Sequence, residues 1–190
     1  MPIKFSMLLL WLVVASYGLT ARANVIDFSS APPSFTSYNE QGVTFTSVTG
    51  GSIDRSTTPN GTAGLLEASA PRSYLRADIA GGATSVAVNL GDYNADGDTL
   101  FLEIYSLADT LLARTDLLIA NSFSGMQTLS LVNPNIAYAI FGATAPALNG
   151  SSVYADNFTW QSATRVAEPG SLALVALGAI AALRVSRRRN

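Results

Sequence analysis

The 190-residue chain contains no cysteine and no histidine. Without cysteine there is no disulfide framework and no thiolate to act as nucleophile or metal ligand. Without histidine the Ser-His-Asp and Cys-His arrangements fall away, together with the usual histidine-bearing zinc sites. Hydrolysis by paired carboxylates, or by a calcium-assisted route, stays open in principle. Lysine is almost missing too, since Lys4 is the only one. Between the two ends the positive charge is confined to Arg55, Arg72, Arg76 and Arg114, with Arg165 at the border, against many carboxylates. An acidic, lysine-free domain repels a phosphate backbone, so nucleic acid is excluded as a partner. No capped amphipathic helix and no internal repeat is present.

What is there divides the chain into three parts. Residues 1–23 have the layout of a secretory signal: Lys4 in the n-region, an apolar stretch from Phe5 to Ala15, and the small-x-small pattern Ala21-Arg22-Ala23. Cleavage after Ala23 would start the mature chain at Asn24. The alternative, an uncleaved anchor, needs a longer apolar stretch than this one. At the other end, Val166-Ala167-Glu168-Pro169-Gly170-Ser171 precedes an apolar run from Leu172 to Leu183, and then come Arg184, Arg187, Arg188 and Arg189. A proline break, a short apolar helix and a basic stop keep the arginines cytoplasmic and the preceding domain outside. The span is shorter than the ~20 residues of a relaxed membrane helix, which suits a temporary hold in the inner membrane.

Residues 167–190 resemble the PEP-CTERM sorting signal of exopolysaccharide-producing Gram-negative bacteria. Glu168 and Pro169 match the second and third motif positions, Ala167 replaces the first proline, and the helix and arginine cluster follow in order. The resemblance implies recognition by an exosortase after passage through the secretion machinery, removal of the tail, and delivery to the cell surface or extracellular matrix. The competing reading is an ordinary C-terminal anchor.

Between the ends, hydrophobic periodicity is near two. It predicts strands at Val25–Ser29, Val43–Thr49, Tyr74–Ile79, Thr84–Leu90, Thr99–Ser106, Leu111–Leu118, Met126–Val132, Ile136–Gly142 and Ser152–Trp160. In Thr99–Ser106 the residues Leu100, Leu102 and Ile104 share one face, and Phe101, Glu103 and Tyr105 share the other. Gly50-Gly51, Pro59-Asn60-Gly61, Gly81-Gly82, Asn94–Gly97, Asn133-Pro134-Asn135 and Asn149-Gly150 supply turn chemistry between them. The expectation is an all-β domain at 24–160, a β-sandwich or jelly roll, with a short linker at 161–166. Val25-Ile26-Asp27-Phe28, Leu90-Gly91-Asp92-Tyr93 with Asp96 and Asp98, and Val153-Tyr154-Ala155-Asp156-Asn157-Phe158 resemble the jelly-roll ectodomains of PEP-CTERM proteins, which are akin to carbohydrate-binding modules.

Two acidic groups are candidate calcium sites. Asp92, Asn94, Asp96 and Asp98 place oxygen donors on alternate residues, with Gly97 sixth and Glu103 twelfth, which satisfies the EF-hand loop pattern. The flanks read as strands, so an acidic β-turn is the competing reading. Asp27 and Asp156 come together if the first and last strands lie side by side, and the resemblance implies a structural calcium there. Alternatively, both carboxylates hydrogen-bond local turns. Tyr38, Tyr74, Tyr93, Tyr105, Tyr154 and Trp160 could stack on sugars, although most aromatics in a sandwich pack internally.

Three functions follow from this. The first is an exported protein, not an enzyme, whose domain binds extracellular polysaccharide. The second is a structural or adhesive surface protein with no small ligand. The third is a carboxylate-based glycoside hydrolase drawing on Glu40, Glu67 or Glu103, whose spacing singles out none of them.

Overall fold

Period-two patterning is realised in the strands of the described central residues. The structure is a computed structural model and describes residues 23–67, 74–93, 97–120, 123–144 and 153–163. The expected signal segment, except Ala23, and the sorting tail lie outside the described residues. Among the described residues every regular element is a strand, and no helix is long and apolar enough to cross a membrane.

The strands are β1 (Asn24–Ile26), β2 (Ser34–Phe35), β3 (Ser37–Glu40), β4 (Val43–Ser47), β5 (Ile53–Thr57), β6 (Ala63–Glu67), β7 (Tyr74–Tyr93), β8 (Thr99–Tyr105), β9 (Leu111–Leu118), β10 (Ser124–Thr144) and β11 (Tyr154–Ser162). They pair antiparallel into one network that folds into two layers. The front sheet runs β3, β4, first half of β7, second half of β10, β8, β9. The back sheet runs β2, β5, β6, β11, second half of β7, first half of β10, and β1 shares the edge of β11 with β6.

Two of the expected turns prove to be bends inside strands. Gly81-Gly82 and Asn133-Pro134-Asn135 do not end their strands, because β7 and β10 run through them and change layer. The register records this: Val132 faces Ser85, Ile136 faces Ala83, and Tyr138 already faces Asp78. Both glycines take a left-handed backbone, at φ 80° and 77°. A Cβ on Gly82 would lie 2.9 Å from the Ile136 carbonyl oxygen, so only glycine lets the two strands bend against each other.

The other departures are local. The first strand stops at Ile26, because the Asp27 carboxylate accepts from the Ser29 backbone N–H and Phe28 turns left-handed at φ 57°. The last strand continues through Gln161 and Ser162, which the sequence assigns to the linker; the Ala163 N–H donates to the Gly82 carbonyl. The β3–β4 hairpin goes unrecognised in the sequence because its two-residue loop is Gln41-Gly42, both at positive φ, rather than Asn-Gly. β5 and β6 escape because Ile53–Thr57 is polar and Ala63–Glu67 is short.

The core lies between the layers. Phe45 of the front sheet meets Phe158 of the back sheet edge-on at 5.3 Å and Phe28 at 5.0 Å, while Phe141 packs on Phe158 at 5.7 Å. All four rings are fully buried, and each such burial stabilises by about 1.5–3 kcal/mol. The expected inner row Leu100, Leu102 and Ile104 is buried as well.

Candidate functional site

The outer face of the front sheet is built by alternation. β7 contributes Tyr74, Arg76 and Asp78, β10 contributes Tyr138, Ile140 and Gly142, β8 contributes Phe101, Glu103 and Tyr105, and β9 contributes Arg114 and Asp116. Register fixes who meets whom. Tyr138 stands opposite Asp78 on one side and Tyr105 on the other, and Gly142 stands opposite Tyr74 and Phe101. Because Gly142 has no side chain, Tyr74 and Phe101 meet across it edge-on at 4.9 Å.

These side chains form one connected strip. The Arg76 guanidinium lies 3.7 Å from the Tyr138 ring centroid and grips Asp78 with Nε (2.9 and 3.0 Å) and Nη2 (2.7 Å). Tyr138 stacks flat on Tyr105 at 4.8 Å and donates its hydroxyl to Asp109 at 3.0 Å. Tyr105 donates to Glu103 at 2.7 Å, Glu103 accepts from Arg114 at 2.5 Å, and Arg114 also holds Asp116 while lying over Phe101. Stacked guanidinium groups of this kind are held rigidly by their aromatic and carboxylate partners.

The electrostatics fix the charge states. Hydrogen bonding to Asp78 raises the Arg76 pKa, and Asp116 with Glu103 raises that of Arg114 further still. The Arg114 guanidinium holds Asp116 below the ordinary carboxylate value. Burial, then Glu103, pushes the Tyr105 phenol up to about 12, and burial with Asp109 raises Tyr138. Each of these shifts moves its group's titration further from neutral pH, which keeps the two guanidinium groups charged and the two phenols protonated.

Where β7 and β10 bend away, the strip opens into a cleft of about 810 Å³. Asn39, Thr44, Arg76, Asp78, Asp109 and Tyr138 give it a polar wall, and the bend segments Gly81-Gly82 and Pro134–Ile136 close its far side. Leu107, 92% exposed at the tip of the β8–β9 turn, stands on its rim. Asp109 takes a left-handed φ of 56° in that turn, a conformation aspartate tolerates, and so reaches Tyr138.

The acidic candidates lie elsewhere. β1 pairs with β11, Ile26 facing Phe158, which brings the Asp27 and Asp156 segments together. Asp27 is exposed and held below its usual pKa by the backbone N–H and then the hydroxyl of Ser29. Asp156 is buried and accepts from the Thr62 hydroxyl (2.6 Å) and the Asn157 backbone and side-chain amides (2.6 and 3.0 Å). Burial raises its pKa, and the Asp27 charge adds to the rise. Among the described residues no group of three or more carboxylates is gathered as for a metal. A calcium at Asp27–Asp156 would therefore need hydroxyl and carbonyl oxygens for most of its six to eight ligands. Asp92 and Asp98 are buried at the ends of β7 and of the segment leading into β8, while Asn94 and Asp96 lie outside the described residues. Glu103, twelfth in the EF-hand pattern, sits within a strand and is committed to Arg114 and Tyr105.

Ala23 is exposed; Ala21, Ala167, Glu168, Pro169, Arg184, Arg187, Arg188 and Arg189 lie outside the described residues. Among the candidate sugar-stacking aromatics, Trp160 is buried and excluded, whereas Tyr93 is 47% exposed beside Tyr154 on the back sheet. Sequence reasoning passed over Arg76, Asp78 and Tyr138. For Arg76 and Asp78 the signal is the outward set of Tyr74-Leu75-Arg76-Ala77-Asp78, which carries large polar groups at every second position; Tyr138 joins them only through the β7–β10 register.

No protein-family model matches the chain, and no curated protein matches it. Solved structures of similar shape include the K1 cleaved adhesin domain of Lys-gingipain from Porphyromonas gingivalis W83, 5% identical over 74% of this chain and 98% of that one, TM-score 0.48. A module named CsCBM6-3 from Clostridium stercorarium, in complex with cellobiose, is 14% identical over 73% and 93%, TM-score 0.39. An arabinose-bound α-L-arabinofuranosidase is 10% identical over 74% of this chain, which spans 26% of that protein, TM-score 0.46.

Proposed function

We propose that the β-sandwich is the exported, surface-displayed part of a chain sorted through a PEP-CTERM tail, and that its front cleft binds extracellular polysaccharide. The observation that carries this reading is the rigid Arg76–Asp78–Tyr138 group in the wall of an 810 Å³ cleft. A sugar presents paired hydroxyls that donate and accept together. A planar guanidinium beside a carboxylate meets both needs, and here both are already oriented, so little ordering entropy is lost on binding. Nε and Nη2 of Arg76 are spent on Asp78, which leaves Nη1 for the ligand. Residues 24–160 hold twelve carboxylates against four arginines. That excess repels polyanionic chains and favours neutral sugars. The function is binding rather than catalysis. A structural calcium at Asp27–Asp156 would support the back sheet and lies outside the cleft.

Calorimetry of the chain against neutral and uronate-rich polysaccharides tests the reading. Arg76→Ala is expected to lower affinity for the neutral ligand about tenfold or more, equivalent to about 1.4 kcal/mol, with the fold kept by circular dichroism. Absence of binding across both classes would favour the structural or adhesive role instead. Intact-mass measurement on the host's surface tests the sorting step: a chain starting at Asn24 and ending near Pro169 is expected, and one retaining Asn190 would mean an ordinary anchor.

A further inference from the structure

We propose that β9 is a self-pairing edge through which two copies of the chain join their front sheets about a two-fold axis at Thr115. Among the described residues β9 pairs with β8 alone, so its other side presents a row of backbone donors and acceptors. Edge strands are normally blunted by proline, lysine, shortness or a central bulge. β9 is eight residues long and has neither proline nor lysine, and its single register shift lies at its start, opposite Tyr105. Its only cation, Arg114, is neutralised by Glu103 and Asp116.

The sequence of the strand identifies the occupant. Laid antiparallel on a second copy with Thr115 opposite Thr115, Arg114 faces Asp116 and Asp116 faces Arg114. Ala113 then faces Leu117, and Leu118 meets the bulged start of the partner strand at Leu111 and Leu112. All five positions from 113 to 117 are matched, charge to opposite charge, apolar to apolar and hydroxyl to hydroxyl. Moving the axis by one residue sets Arg114 against Arg114 or Asp116 against Asp116, and a half-step sets a charged residue against an apolar or hydroxyl one. Cross-strand pairs carry sheet stability and a one-residue slip reverses faces, so this pattern selects one register. The exposed apolar groups are explained as well. Leu118 is 74% exposed and Leu111 48%, and Leu117, Leu118 and Phe123 line a shallow hollow of about 380 Å³ beside the strand. The second copy's Leu111 and Leu112 would cover it. The result is a closed dimer, not a fibre, because the contact is the same patch on both copies. It also sets two front clefts on one continuous sheet face, which multiplies attachment to a repeating ligand. The pairing stands whatever the cleft binds.

Sedimentation equilibrium of the full chain in a density-matched detergent tests it. The expected mass is two chains for the natural protein and one for Arg114→Asp or Asp116→Arg alone. Mixing these two variants should restore two chains, because each then supplies the charge the other lacks. A second probe uses the absence of cysteine: Thr115→Cys should be trapped as a covalent dimer on mild oxidation, many times faster than the exposed control Leu107→Cys. A natural chain that stays monomeric, charge variants that remain dimeric, a mixture that stays monomeric, or equal cross-linking of the two cysteine variants would each overturn the proposal.

Discussion

The outer faces of the two sheets are written by the same two strands and differ in almost every respect. Up to its bend, β7 turns Tyr74, Arg76 and Asp78 outward; beyond it, Ser85, Ala87, Asn89 and Gly91. β10 changes in step, from Ser130 and Thr128 on the back to Tyr138 and Ile140 on the front. The front face is a strip of interlocked rings and ion pairs. The back is a floor mostly of small and hydroxyl side chains, joined here and there as by Thr128 and Asn89, with the Tyr93–Tyr154 pair at one end. What separates them is the pair of bends. A strand that changes layer keeps its alternation yet faces a new environment, so one strand can pack two surfaces of different chemistry.

The severest way to break this contrast is at the bend. Gly82→Val forces a β-branched residue into a left-handed backbone and against the Ile136 carbonyl. It is expected to cost about 3 kcal/mol in urea unfolding and to abolish cleft binding; a loss under about 1 kcal/mol would mean the bend does not depend on that glycine. A smaller effect follows from Asp156 behind the back sheet. Its raised pKa means the folded state holds its proton more tightly than the unfolded chain. Its contribution is therefore most favourable below the ordinary aspartate value of 3.8 and is lost as pH rises through the folded value. Asp156→Asn should flatten that fall in melting temperature with rising pH. Millimolar calcium that reverses the slope in the natural chain only would assign a cation to Asp27–Asp156. The smallest effect is expected from Ser130→Lys on the exposed back floor, within about 0.5 kcal/mol of the natural chain and without change in glycan affinity. A clear loss of affinity there would move the binding face from front to back.

Much of the fold is legible in the residues. Leu100, Leu102 and Ile104 face the core because alternation in an antiparallel sheet separates inside from outside. The bends are not legible, since Gly81-Gly82 and Asn133-Pro134-Asn135 have the composition of turns. Only the register between β7 and β10 shows that each continues past them. The candidate cleft was hidden for the same reason. Arg76 and Asp78 stand two apart on one strand, but Tyr138 is 60 residues away and joins them only through pairing. Tyr105 was visible as an outward aromatic, but its role as the flat partner of Tyr138 depends on a neighbouring strand.

β11 has a mechanical consequence. It ends at Ser162, and it is bonded on both flanks, to β7 and to β1 and β6. Its hydrogen bonds lie across the strand axis, so tension along Ser162 loads them in shear, many at once, instead of peeling them one by one. The neighbour that receives the load is β7, whose own backbone passes through the bend to Arg76 and Asp78. Force applied at Ser162 and resisted at Arg76 and Asp78 would therefore cross a single inter-strand seam, and the rest of the travel is covalent chain.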